Sequence, residues 1–124
     1  MALCVAAGGV VVAVATQAFT LAWTHSIEKT RWEEDYRIDG ASLILTEARI
    51  EGSGAGMEPP EGSRLDERGV WHYTPKLPAL PVLRLTHSNF TGGYELCHDG
   101  RCAPLLEQAP AAVAGGVIEL RACE

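Results

Sequence analysis

The stretch Phe19-Thr20-Leu21-Ala22-Trp23-Thr24-His25-Ser26-Ile27-Glu28-Lys29-Thr30-Arg31-Trp32-Glu33-Glu34-Asp35-Tyr36-Arg37-Ile38 alternates twice. Phe19, Leu21, Trp23 and His25 fall on one face of a two-residue period, with Thr20, Ala22, Thr24 and Ser26 on the other. After a short polar break, Trp32, Glu34, Tyr36 and Ile38 repeat the pattern against Glu33, Asp35 and Arg37. A period of two is that of a β-strand, whose successive side chains point to opposite sides. Two such runs joined by polar residues predict an antiparallel hairpin. Centred on Lys29-Thr30, it sets Glu28 opposite Arg31, His25 opposite Glu34, Trp23 opposite Tyr36 and Leu21 opposite Ile38. A slip of one residue would put Trp23 against a charge.

Other segments fit the same architecture. Residues 2–15 carry no charge, and the apolar character runs on to Trp23, long enough for a membrane-spanning or signal helix. The β-branched Val5, Val10, Val11, Val12 and Val14 and the break at Gly8-Gly9 favour two strands and a tight turn instead. Asp39-Gly40 marks a turn, and residues 43–50 read as a strand with Ile44, Ala48 and Ile50 facing the core. Residues 51–69, rich in Gly and Pro, read as a long loop. Shorter strands are expected at 70–73, 82–86, 94–97, 102–106 and 117–123. No segment has a sustained helical period with caps. The expected fold is therefore all-β: a single small antiparallel sandwich or partly closed barrel built from hairpins, spanning residues 1–124.

Composition narrows function. The chain of 124 residues is 47% hydrophobic and 21% charged, so it can form a core and is not a disordered tail. Its net charge of −6, with no basic run, excludes nucleic acid as the expected partner and disfavours anionic membrane surfaces.

Three constellations could carry chemistry. In the hairpin register, His25 meets Glu34, and a carboxylate against one ring nitrogen orients an imidazole for proton transfer or metal binding. Glu28 and Glu47 add charge, and His25, Glu34 and Glu47 would suit a divalent metal. A buried His–Glu pair that only holds the sheet is the plain alternative. Ser26 points to the other face of its strand from His25, which argues against a Ser–His nucleophile. The second constellation is the cysteines. Cys97 and Cys102 bracket a turn and Cys4 and Cys123 stand near the ends, suiting two disulfides, although unpaired thiols and a metal site stay open. Third, Gly54-Ala55-Gly56 lies in a glycine loop that lacks the Lys-Ser/Thr ending of a P-loop, so no nucleotide or other cofactor is expected.

The segments at 19–30 and Gly52-Ser53-Gly54-Ala55-Gly56-Met57-Glu58-Pro59-Pro60 resemble a bacterial family of small proteins classed as domain of unknown function 1850. The resemblance places His25, Ser26, Glu34, Glu47, Gly54, Ala55 and Gly56 on characteristic positions, while Arg31 departs from a proline common in the family. It implies no established activity. It does imply a setting, since members are typically encoded beside TRAP-type transporters of the TAXI class.

Three functions are then expected in order. The first is a non-enzymatic accessory protein that docks on a TRAP permease or its substrate-binding protein. The second is a metal-binding or small hydrolytic domain using His25 and Glu34. The third is a small-anion binding module, for which no Arg pair stands out. Four cysteines hint at an oxidising compartment, while the start lacks the basic region of a signal peptide; the cell envelope is the expected location.

Overall fold

The computed structural model describes residues 1–24, 30–51, 62–86, 93–113 and 115–123. Its elements are β1 (Ala2–Ala7), β2 (Val10–Val14), β3 (Ala18–Thr24), β4 (Arg31–Asp39), β5 (Ser42–Glu51), β6 (Arg64–Leu65), β7 (Val70–Tyr73), β8 (Leu83–Thr86), β9 (Tyr94–His98), β10 (Arg101–Pro104), a 3-10 helix (Leu105–Gln108) and β11 (Val117–Cys123). They form a four-stranded sheet in the order β2-β1-β11-β8 and a seven-stranded sheet in the order β10-β9-β3-β4-β5-β7-β6. All pairings are antiparallel, and no α-helix occurs among the described residues. The fold is an all-β sandwich, not a closed barrel.

The apolar start is a hairpin. Ala7 pairs with Val10 across Gly8 and Gly9, whose φ angles of 58° and 81° are the left-handed values a two-residue hairpin turn requires. Gly8 has a second constraint, because a Cβ there would run into the carbonyl oxygen of Ala111. Leu3 and Val5 of β1 and Ile118 and Leu120 of β11 supply the small sheet's share of the core. Phe19, Leu21, Tyr36, Ile38, Leu43 and Leu96 supply the other half, with Leu105 from the 3-10 helix.

Both expected disulfides are present. Cys97 and Cys102 sit opposite each other in the β9–β10 hairpin, whose turn uses Asp99 and Gly100, both at positive φ. Cys4 and Cys123 lie diagonally across β1 and β11, with Cα atoms 5.8 Å apart. This bond ties positions separated by 119 residues, which on a chain-entropy view stabilises the fold by about 4–5 kcal/mol.

The structure corrects four expectations. Trp23 pairs with Trp32, Leu21 with Glu34 and Phe19 with Tyr36, so the β3–β4 register is shifted by four from one centred on Lys29-Thr30. An even shift leaves every side chain on its assigned face, so the alternation alone could not detect it. The consequence is that Glu34 lies opposite Leu21, not His25. In β5 the buried residues are Leu43, Leu45, Ala48 and Ile50, not the set Ile44, Ala48 and Ile50. The ladder to β4 runs Tyr36 to Leu45 and then Asp35 to Glu47, leaving Thr46 as a bulge that resets the alternation. Arg64–Leu65 adds a two-residue strand inside the expected 51–69 loop. Finally, the strand expected at 102–106 stops at Pro104, where the 3-10 helix begins.

The bulge yields a deletion test. Removing Thr46 restores an unbroken ladder with each β5 side chain still on its present face. Removing Ile44 instead turns Leu45 outward and Thr46 inward. The Thr46 deletion is expected to cost about 1 kcal/mol, chiefly the hydrogen bond from its hydroxyl to the Asp35 carbonyl, and the Ile44 deletion more than about 3 kcal/mol in urea unfolding. The reverse ranking would show that the bulge does not set the faces.

Candidate functional site

The two faces of the seven-stranded sheet have separate chemistry, divided by the alternation in β4. Glu33 and Asp35 point outward, while Trp32, Glu34 and Tyr36 point inward.

The outward face is an ion-pair lattice centred on Arg49. Its guanidinium reaches Glu33 at 2.9 Å, Glu47 at 2.6 Å and both oxygens of Asp35 at 2.6 and 2.7 Å. Glu33 also accepts from Arg31 at 3.0 Å, and Arg31 donates to Glu95 at 2.7 Å. Thr20 donates to Asp35 at 2.6 Å. On the far side, His72 contacts Glu47 through Nδ1 at 3.4 Å and Asp66 through Nε2 at 2.7 Å. The lattice thus crosses β9, β3, β4, β5 and β7. Burial opposes the charge on Glu33 and Asp35, but the hydrogen bonds from the arginines outweigh it and hold both carboxyls below their ordinary range. Asp66 is lowered to about 2, led by its bond to His72 and then by the Val70 N–H. Carboxylates so engaged on cations act as braces. No group of three or more metal-ligating side chains stands ready for an ion among the described residues.

The inward face is aromatic. All three tryptophans and all three tyrosines of the chain lie on it. Trp32 stacks on Trp23 with ring centres 6.2 Å apart, and Trp23 meets Tyr94 edge-on at 5.7 Å. Trp71 and Tyr73 join through β7, opposite Ile50 and Ala48. Phe19 and Tyr36 stack at 5.2 Å deeper in, within the core. Trp23, Trp32, Trp71, Tyr73 and Tyr94 are only half-buried, so this end of the face is incompletely covered.

Among the described residues, one carboxylate stands among these rings. Glu34, also half-buried, accepts a 2.9 Å hydrogen bond from the Tyr36 hydroxyl and has no ion pair among the described residues. Burial pushes its pKa up, against the opposing pull of the Tyr36 bond. Burial, reinforced by the Glu34 charge, also raises the hydroxyls of Tyr36, Tyr73 and Tyr94. The indole Nε1–H of Trp32 is buried without a hydrogen-bond partner among the described residues. An aromatic floor with one poorly solvated carboxylate suits a partner that brings apolar surface and a positive or donor group.

Of the expected site residues, Glu34 takes this central place. Glu47 belongs to the outward lattice, so Glu34 and Glu47 lie on opposite faces and cannot share one metal ion. His25, Ser26, Glu28, Gly54, Ala55 and Gly56 lie outside the described residues. Sequence reasoning missed His72 with Asp66, missed Tyr73 and Tyr94 as rings near Glu34, and missed Trp71 on the same face. Their alternation was readable; the strands they pair with were not.

A family profile described as domain of unknown function (DUF1850) matches residues 19–105. The chain belongs to that family. No curated protein and no solved structure matches it.

Glu34 gives a stability test with a definite sign. A carboxyl raised in the folded state contributes stability that is whole below the ordinary glutamate value of 4.5 and lost as pH rises through the raised one. Glu34→Gln removes that loss and keeps an acceptor for Tyr36. The variant is expected to melt higher than the parent at pH 7, with the gap closing below about pH 4. A variant less stable at pH 7 would show Glu34 to be a structural brace instead.

Proposed function

We propose that this protein is a non-enzymatic accessory protein of a TAXI-class TRAP transport system, docking on the permease or on its substrate-binding protein. The carrying observation is the partly open inward face, which carries all three tryptophans and on which Tyr36, Tyr73 and Tyr94 lie close enough to Glu34 to feel its charge. Tryptophan and tyrosine dominate protein-binding surfaces because each offers large apolar area with few rotatable bonds. The carboxylates of the outward lattice, by contrast, are engaged by Arg31, Arg49 and His72. The transporter setting comes from the family resemblance.

Within this reading, His25, Ser26, Glu28, Gly54, Ala55 and Gly56 join Glu34 as contact residues. The setting is the cell envelope, which agrees with two disulfides, since such bonds persist in oxidising compartments. No helix among the described residues is long and apolar enough to cross a membrane. In this reading, contact with a membrane-bound permease holds the protein at the membrane.

The test is affinity capture of the tagged protein from native membranes, alongside Glu34→Gln and His25→Ala. Recovery of a TRAP permease or its binding protein is expected, with each variant reducing it at least about tenfold, as for loss of a hot-spot contact. Recovery of no transport component from membranes known to contain one, or equal recovery by all three proteins, would remove the reading.

A further inference from the structure

A sheet edge exposes unpaired backbone groups, and proteins guard such edges with charge, proline, shortness or cover. Of the four edges in this sandwich, three are guarded. β6 has two residues, one of them Arg64. β10 carries Arg101, ends in Pro104 and is bonded to β9 through Cys102. β8 carries Arg84, ion-paired to Glu119 at 2.8 Å. The fourth edge, β2, reads Val10-Val11-Val12-Ala13-Val14 and has neither charge nor proline. Val10 is 44% exposed and Val11 56%.

We propose that β2 pairs edge to edge with β2 of a second copy of this chain, joining two four-stranded sheets into one of eight strands. Antiparallel pairing about Val12 sets Val10 opposite Val14, Val11 opposite Ala13 and Val12 opposite itself, so every contact is apolar. Val10, Val12 and Val14 share the face of Leu3, Val5 and Ala7, which continues the core side of the sheet across the junction.

Charge selects a second copy as the occupant. The chain carries a net charge of −6, so two copies repel wherever their acidic surfaces meet. Residues 1–24 contain no Asp, Glu, Lys, Arg or His, and β2 lies within that stretch. A symmetric contact places each residue near its own counterpart, and this edge does so with no like charge opposed. Five paired residues make an interface below the size of a permanent dimer, so association is weak, with a dissociation constant on the order of 100 µM. The interface uses different residues from the docking face around Glu34.

Sedimentation velocity from about 10 to about 500 µM tests it, comparing the parent with Val11→Lys/Ala13→Lys. Both positions are exposed, so the variant keeps its fold, checked by circular dichroism. The parent is expected to move toward dimer across this range while the variant stays monomeric. Register is read by oxidative cross-linking: a mixture of Val11→Cys and Ala13→Cys proteins should link faster than either alone. A parent that is monomeric throughout, a dimer that survives both lysines, or equal cross-linking in all three samples overturns the proposal. A monomeric parent whose capture of a transport component is lost in the lysine variant also overturns it and assigns the edge to a foreign strand.

Discussion

The sandwich depends on one irregularity, the extra residue at Thr46. A strand of regular pleat keeps odd and even positions on opposite faces throughout, so β5 could not bury Leu43 and Leu45 together with Ala48 and Ile50. The bulge makes that possible by placing two residues of β5 against one step of β4. On the outward side, the same reset aligns Glu47 and Arg49 beside Asp35 and Glu33. The central ion-pair lattice and the continuous inward face are two results of this local change.

Those two results divide the chemistry of the molecule. Outside, Arg49 and Arg31 draw acidic side chains from β4, β5 and β9 into mutual contact. The net value of each partly exposed pair is small, but the network fixes which side chains face which. Inside, Glu34 stands among the rings and, among the described residues, accepts from the Tyr36 hydroxyl alone. Glu33, Glu34 and Asp35 are consecutive acids in the sequence. Pleat geometry gives them different surroundings, with Glu33 and Asp35 held ionised by arginine and Glu34 disfavoured in its charged form by burial.

Much of the fold was legible in the sequence because it is written locally. Alternation in 19–38 located β3 and β4, while Gly8-Gly9 and Asp99-Gly100 marked turns that need positive φ. The cysteine positions suited the two disulfides that are present. The register of β3 on β4 was not legible, because a shift of four residues preserves every face and alters only the span between strands. The bulge was hidden as well, since Thr46 is an ordinary strand residue and its effect shows only against Asp35 and Tyr36. Glu34 was expected to face His25, and the strand register sets it opposite Leu21 instead. Its surroundings come from β7 and β9, far along the chain, and nothing local specifies that Tyr73 and Tyr94 will lie close enough to feel its charge.

In the proposed reading, the aromatic end of the inward face is the docking surface. Hydroxyl-radical footprinting, with and without the purified transport components, tests it well because tryptophan and tyrosine are among the faster-reacting side chains. Trp23, Trp32 and Tyr94 are expected to be oxidised several-fold more slowly in the complex, while the core residue Tyr36 stays unchanged. A complex in which those three react as in the free protein, with protection appearing only around His72 or on β2, would contradict the claim.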